Sequence, residues 1–211
     1  MQSTLKNMVL VLFLITLVAS AAVGGIFKIT EEPIAQAKAA KTKAALAAVL
    51  PAFDNDPGQD TVSTVVDGLP VLLYKATAGG QLAGYAVETQ TNNGFNGKVK
   101  LMVGFDADNQ IVNISVLEHT ETPGLGSKMA DEDNKLIVSF QGKNPADLKL
   151  AVKKDGGDID ALTAATISSR AYVDAVERGY KALLSVTSQQ EAPAATITTT
   201  EPAGQEGGDN E

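Results

Sequence analysis

From Met8 to Phe27 the chain reads "MVLVLFLITLVASAAVGGIF", 20 residues without a charge. As a helix rising 1.5 Å per residue this run covers the ~30 Å hydrocarbon layer of a membrane. A cleaved secretory signal is the competing reading, because Val9 to Val18 has the length of a signal core and "VASAA" offers small residues for cleavage. The apolar character continues through Ile26 and Phe27 to a full span, which favours an uncleaved anchor. Either way the remainder of the chain is exported. Lys6 precedes the run and Lys28, Lys38, Lys41 and Lys43 follow it, so the count of positive residues does not set the orientation.

The chain has 211 residues, enough for one domain with appendages. It has no cysteine. Thiolate-ligated iron–sulfur clusters, thioether-linked haem, disulfides and thiol nucleophiles are therefore excluded, and a redox role would need an organic cofactor. A net charge of -8 argues against a nucleic-acid partner. Five acidic residues (Glu191, Glu201, Glu206, Asp209 and Glu211) lie in a tail without Lys or Arg, so the body is only mildly acidic.

After residues 1–7 and the anchor at 8–27, residues 28–50 read as a juxtamembrane Ala-rich helix. Thr30 is its expected cap, Glu31, Glu32 and Pro33 suit its first turn, and Pro51 ends it. Residues 51–187 form the domain. A turn-rich entry, with a short strand at Val62 to Val66, leads to four strands: Val71 to Thr77, Leu82 to Gln90, Lys98 to Phe105 and Gln110 to Leu117. The connectors "AGGQ" and "DADN" are hairpin turns, so the sheet is antiparallel and the fold class is α+β with packed helices. "TNNGFNG" reads as a hairpin tip that can bring backbone close to a flat ligand, and Pro123-Gly124 suits the centre of a type II turn. His119 has no second metal ligand at close spacing, which favours a structural role. A helix runs from Ser168 or Ser169 to about Val186, capped by those serines, with Tyr172, Val176, Tyr180, Leu183 and Leu184 on its core face. Residues 188–211 read as a disordered acidic tail.

Before that helix, Thr163 and Thr166 lie three residues apart in "DIDALTAATISSR". A cap, a turn hydrogen bond or β-branched packing would each explain such threonines. A phosphate ester is the sharper alternative, because the free amides and positive end of a helix stabilise phosphate.

The heptad "DALTAAT", Asp160 to Thr166, resembles the D-x-x-[ST]-G-A-[ST] signature at which a flavin transferase joins FMN through its phosphate to the last Thr or Ser. Thr166 then carries the flavin, and Asp160, Thr163 and Ala165 belong to the recognition sequence. Ala164 stands where the signature has glycine, and its methyl is expected to tighten the turn. "HTETPGLGSKM" and "NGFNGKVKLMVGFD" resemble segments, in the same order, of the C subunit of the sodium-translocating NADH:quinone reductase (Nqr) and of the G subunit of the related Rnf oxidoreductase. With the anchor, the resemblance spans roughly residues 1–187.

It implies a single-pass inner-membrane subunit with an extracytoplasmic FMN-binding domain. The subunit would relay electrons in a complex that couples ferredoxin and NAD to sodium or proton transport, and would not be catalytic alone. Its partners would be the other membrane subunits and, during maturation, a flavin transferase. The same resemblance puts Glu121, Thr122, Gly124, Leu125 and Gly126 beside the flavin, adds Gly94, Phe95 and Gly97 as further contacts, and lets Lys128 balance flavin or phosphate charge. Chain length and "TISSRAY" resemble the Rnf subunit more than its Nqr relative. A flavin-free anchored stalk or binding protein, with Thr166 merely capping, is the alternative from another class.

Overall fold

Left-handed turn residues define the sheet. The computed structural model describes residues 5–191 and contains five strands: β1 (Thr61–Val66), β2 (Leu69–Ala78), β3 (Gln81–Gly94), β4 (Gly97–Asp106) and β5 (Ile111–His119). Asp67-Gly68 and Gly79-Gly80 all have positive φ, as two-residue hairpins between right-twisting strands require. Each strand therefore pairs antiparallel with the next, in the order β1-β2-β3-β4-β5. The β3 and β4 strands extend further than their apolar pattern suggested, to a Gly94–Gly97 pair, leaving Phe95 and Asn96 as the tip.

Period-two alternation gives the sheet two apolar faces. Val71, Leu73, Tyr85, Val87, Leu101, Val103 and Phe105 face α3 (Thr166–Glu191), which contributes Tyr172, Val176 and Leu183 to that core. Tyr74, Ala76, Ala86 and Met102 face the end of α1 (Leu5–Val49), which contributes Ala45, Leu46 and Val49. Gly104 permits this second packing, since a Cβ there would run into the Val49 carbonyl.

Two expectations are corrected. The anchor and the juxtamembrane helix are one continuous 45-residue helix, with Pro33 inside it. Thr30 is not a cap: its hydroxyl donates back to the carbonyls of Ile26 (2.9 Å) and Phe27 (3.2 Å), a bond that a Thr makes inside a helix. Pro33 removes one ladder bond, but that stretch is exposed, so water can serve the freed carbonyl. Second, α3 begins at Thr166, and Ser168 and Ser169 do not cap it. Ser168 donates to the Glu121 carboxylate, and Ser169 donates to the Ala165 carbonyl (2.9 Å) while accepting the Leu162 amide (2.9 Å).

A short helix, α2 (Lys135–Phe140), was not expected. The Asn134 side chain caps it, accepting the amides of Leu136 (2.9 Å) and Ile137 (3.1 Å). The expected tail lies mostly outside the described residues.

The path of α1 orients the domain. Asn113 donates to the Ala48 carbonyl at 3.0 Å, and Lys41 donates to the Leu117 carbonyl. Walking back along α1 toward its apolar span thus follows β5 toward its C-terminal end. That end, with the turn after it, is the part of the domain nearest the span. About 21 Å of helix separates Phe27 from Lys41 at 1.5 Å per residue.

Candidate functional site

Three segments distant in sequence meet at this end of the sheet. The first is the β3–β4 tip. The second is the turn after β5, where the Leu125 amide reaches the Thr122 carbonyl (3.2 Å) across Pro123 and Gly124, and Gly124 has the positive φ of a type II turn. The Ser127 hydroxyl accepts the Gly124 amide at 2.9 Å and secures the turn. The third is the start of α3.

Asn96 stitches the tip to the turn. Its side-chain amide donates to the Thr120 carbonyl (3.0 Å), and its own carbonyl accepts the Thr120 hydroxyl (2.8 Å). Glu121, only 4 % exposed, joins all three segments. One carboxylate oxygen accepts the Asn96 backbone amide at 3.2 Å and the other accepts the Ser168 hydroxyl.

Between the segments lies a cleft of about 290 Å³, lined by Phe95, Thr122, Leu125, Gly126 and the run from Ala164 to Ser168. Phe95, 61 % exposed, stands at its rim with Leu125 and Ile167. Ala164 adopts a left-handed conformation with φ +60°, which turns the chain into α3. The Ala165 carbonyl accepts the first helical bond, from Ser169 at 3.0 Å, so Thr166 is the first full helical residue. Among the described residues, none accepts a hydrogen bond from the amides of Thr166, Ile167 or Ser168. A helix of 26 residues therefore presents free donors and its positive end beside the Thr166 hydroxyl.

Of the residues singled out from sequence, Phe95, Thr122, Leu125, Gly126, Ala165 and Thr166 come together in the cleft. Glu121 lies behind its wall. Gly94 belongs to β3, Gly97 to β4, and Gly124 to the exposed turn. Lys128 is exposed on the 3-10 turn Gly126–Ala130 and does not line the cleft. Thr163 is exposed outside it. Asp160 pairs with Lys153 at 2.8 Å and bonds Ser139; the Lys153 ammonium holds its carboxyl below the usual range. His119, half-buried at the end of β5, accepts the Glu121 amide on Nδ1 at 3.3 Å.

Sequence reasoning missed the parts of Asn96, Ile167 and Ser168. Ser168 and Glu121 are 47 residues apart, so no local pattern links them. Ala164 could have been found, because a turn residue in place of a signature glycine points to positive φ.

A family profile described as FMN-binding domain matches residues 94–181, a stretch that holds all three cleft segments. The chain therefore carries an FMN-binding domain behind an N-terminal helix long and apolar enough to cross a membrane. The G subunit of the ion-translocating oxidoreductase complex of Aliivibrio fischeri (strain ATCC 700601 / ES114) is 35% identical over 188 residues, covering 84% of this chain and 90% of the relative. Its Yersinia pestis counterpart is 39% identical over 158 residues, covering 71% and 76%, and that of Pseudomonas aeruginosa (strain UCBPP-PA14) is 34% identical over 190, covering 85% and 88%. The chain belongs to this family, the G subunits of ion-translocating oxidoreductase complexes. Family and apolar helix together point to a membrane protein.

The residues present fit FMN. An open, largely apolar cleft with an aromatic side chain at its rim suits a flat ring, and free amides beside a hydroxyl suit a phosphate. The cleft sits at the lower limit of ligand pockets, which run to about 300–1,000 Å³. Burial alone would hold a whole nucleotide weakly there.

Proposed function

We propose that this chain is the electron-relay subunit of a membrane-bound Rnf-type complex and carries FMN as a phosphoester on Thr166. The observation that carries the reading is the Thr166 hydroxyl at the cleft, beside three amides with no acceptor among the described residues. Those donors and the helix dipole would hold the phosphate, while Phe95, Leu125 and Ile167 flank the ring and Thr122 and Gly126 line the inner wall. FMN, when bound, supplies the redox chemistry; the chain supplies position and local charge. Attachment condenses the Thr166 hydroxyl with the phosphate, so the protein gains one FMN less one water.

A tether suits so shallow a cleft. Outside the cytoplasm a dissociable cofactor is lost by dilution, whereas a short covalent link keeps the ring at an effective concentration of order mM. A flavin transferase would install it, with Asp160 and Thr163 in the recognised segment. The flavin domain stands on the extracytoplasmic side, and the cleft's place at the span-proximal end supports electron exchange with membrane subunits of the same complex. That complex would couple ferredoxin and NAD electron transfer to sodium or proton movement.

The test is coexpression with an active flavin transferase, in-gel fluorescence after denaturation, and intact mass. Thr166→Val should abolish the label, since it keeps the shape and removes the attachment oxygen, and Thr163→Ala should retain the attachment site. Unmodified wild-type protein would refute the proposal in favour of a flavin-free stalk.

A further inference from the structure

Glu121 is the only buried acidic residue among the described residues, and no cation pairs with it there. Burying an uncompensated carboxylate costs stability unless donors are aimed at it, and the donors here are the Asn96 amide and the Ser168 hydroxyl. The surrounding backbone is shaped to this group. A Cβ on Gly94 would lie 2.6 Å from one carboxylate oxygen. A Cβ on Gly126 would lie 2.8 Å from the other and 2.5 Å from the Ser168 hydroxyl. A Cβ on Gly94 would also meet the Gly97 carbonyl at 2.3 Å, so the two glycines make room for Glu121 together with the backbone and hydroxyl packed beside it.

Its bonds fix both sides of the cleft. Through Ser168 it holds the first turn of α3, where Thr166 and Ile167 sit. Through the Asn96 amide it holds the residue next to Phe95. Resting on the FMN reading above, we propose that Glu121 is a positioning residue of the flavin site, fixing the cleft walls and keeping a negative charge behind them that opposes reduction of the flavin. Adding an electron in the cleft brings a second negative charge near the first, where the partly dry surroundings screen it less than water would.

The two effects separate in the full chain, flavinylated by coexpression and purified in detergent. Glu121→Gln keeps the shape, removes the charge and leaves only one acceptor oxygen. The flavin midpoint potential should rise, and iodide quenching of flavin fluorescence should increase several-fold as the walls loosen. Ser168→Ala cuts the same bond but keeps the charge. Quenching should increase without that rise in potential.

Wild-type potential and quenching in Glu121→Gln, with only a lower melting temperature, would overturn the proposal, because Glu121 would then serve the fold alone. An equal rise in potential for Ser168→Ala would overturn it too, since the charge would not be the cause. If Glu121→Gln does not fold, Ser168→Ala decides, and wild-type quenching there refutes the positioning role. A wild-type chain without flavin would overturn the underlying FMN reading and this inference together.

Discussion

Ala164→Gly should stabilise the domain. Ala164 has φ +60°, where an L-residue's Cβ crowds the following carbonyl at a cost of roughly 1–2 kcal/mol. Its methyl is exposed, so removing it loses little packing. Glycine relieves the strain but widens the unfolded ensemble, which offsets about 0.4–1 kcal/mol. The net expectation is a gain of about 0.5–1 kcal/mol, or a rise in melting temperature of about 2–4 °C for a domain of this size. Near-UV circular dichroism of the detergent-solubilised chain during a thermal ramp reads it. Ala164→Val is the opposing control, because a β-branched residue fits the left-handed region worse and should lower the melting temperature. A drop for glycine would refute the reasoning, for it would mean that the methyl makes a contact worth more than the strain. The resembled signature has glycine here, so the substitution should also leave labelling of Thr166 intact.

Tyr172 is fully buried in the α3 core, which pushes its pKa well up, and its hydroxyl has no hydrogen-bond partner among the described residues. Tyr172→Phe should therefore be neutral or gain about 1 kcal/mol in urea unfolding, and a comparable loss would show that the hydroxyl is satisfied. Gly104→Ala should cost about 1–3 kcal/mol by driving a methyl into the Val49 carbonyl, and should speed proteolysis where α1 leaves the sheet; unchanged cleavage would count against the docked helix. Hydrogen bonds from Arg170, Lys153 and Lys98 hold the carboxyls of Asp155, Asp160 and Glu118 below their usual values of 3.8, 3.8 and 4.5. The unfolded chain then binds more protons, so these pairs contribute in full above those values and their contribution is lost as pH falls through the depressed ones. Urea midpoints should show that loss below about pH 4.5 and lose part of it in Asp155→Asn or in high salt, since the pairs are exposed. An identical acid profile for Asp155→Asn would sink this attribution.

Local chemistry explains what was legible in the sequence. Gly79-Gly80 and the turn at Asn109 took left-handed conformations and fixed the hairpins, and the spacing of Tyr172, Val176 and Leu183 put them in the core. The same stripe overreached at Leu184, which is 42% exposed, because it lies about 100° round the helix from the fully buried Leu183, off the face that Leu183 and Val186 turn to the core. Hydroxyl groups were the least legible. Thr30 and Ser168 both looked like caps, yet a hydroxyl serves equally well for a backbone carbonyl one turn back or a carboxylate far along the chain, and only the fold decides which is near. The six-residue helix α2 is too short to show a period, although Asn134 before an apolar run was a usable sign.

The glycines carry the larger lesson about the site. Gly94 stands in a segment that suggests backbone contact with a flat ring, yet it lies outside the cleft and makes room for the Gly97 carbonyl and the Glu121 carboxylate, while Gly126 lines the cleft and also leaves space for Glu121 and Ser168 behind it. A motif can therefore mark a binding site without each of its residues touching the ligand, because part of the pattern shapes the wall. What remains at the surface is an open cleft with the Thr166 hydroxyl beside amides that no described residue accepts, and an apolar rim. Such a site trades enclosure for access. A covalent bond at Thr166 would retain the cofactor while leaving its ring reachable, and the continuous α1 fixes which end of the domain faces the span. A tether and an open rim would suit a cofactor that meets a protein partner, the role proposed for this chain above.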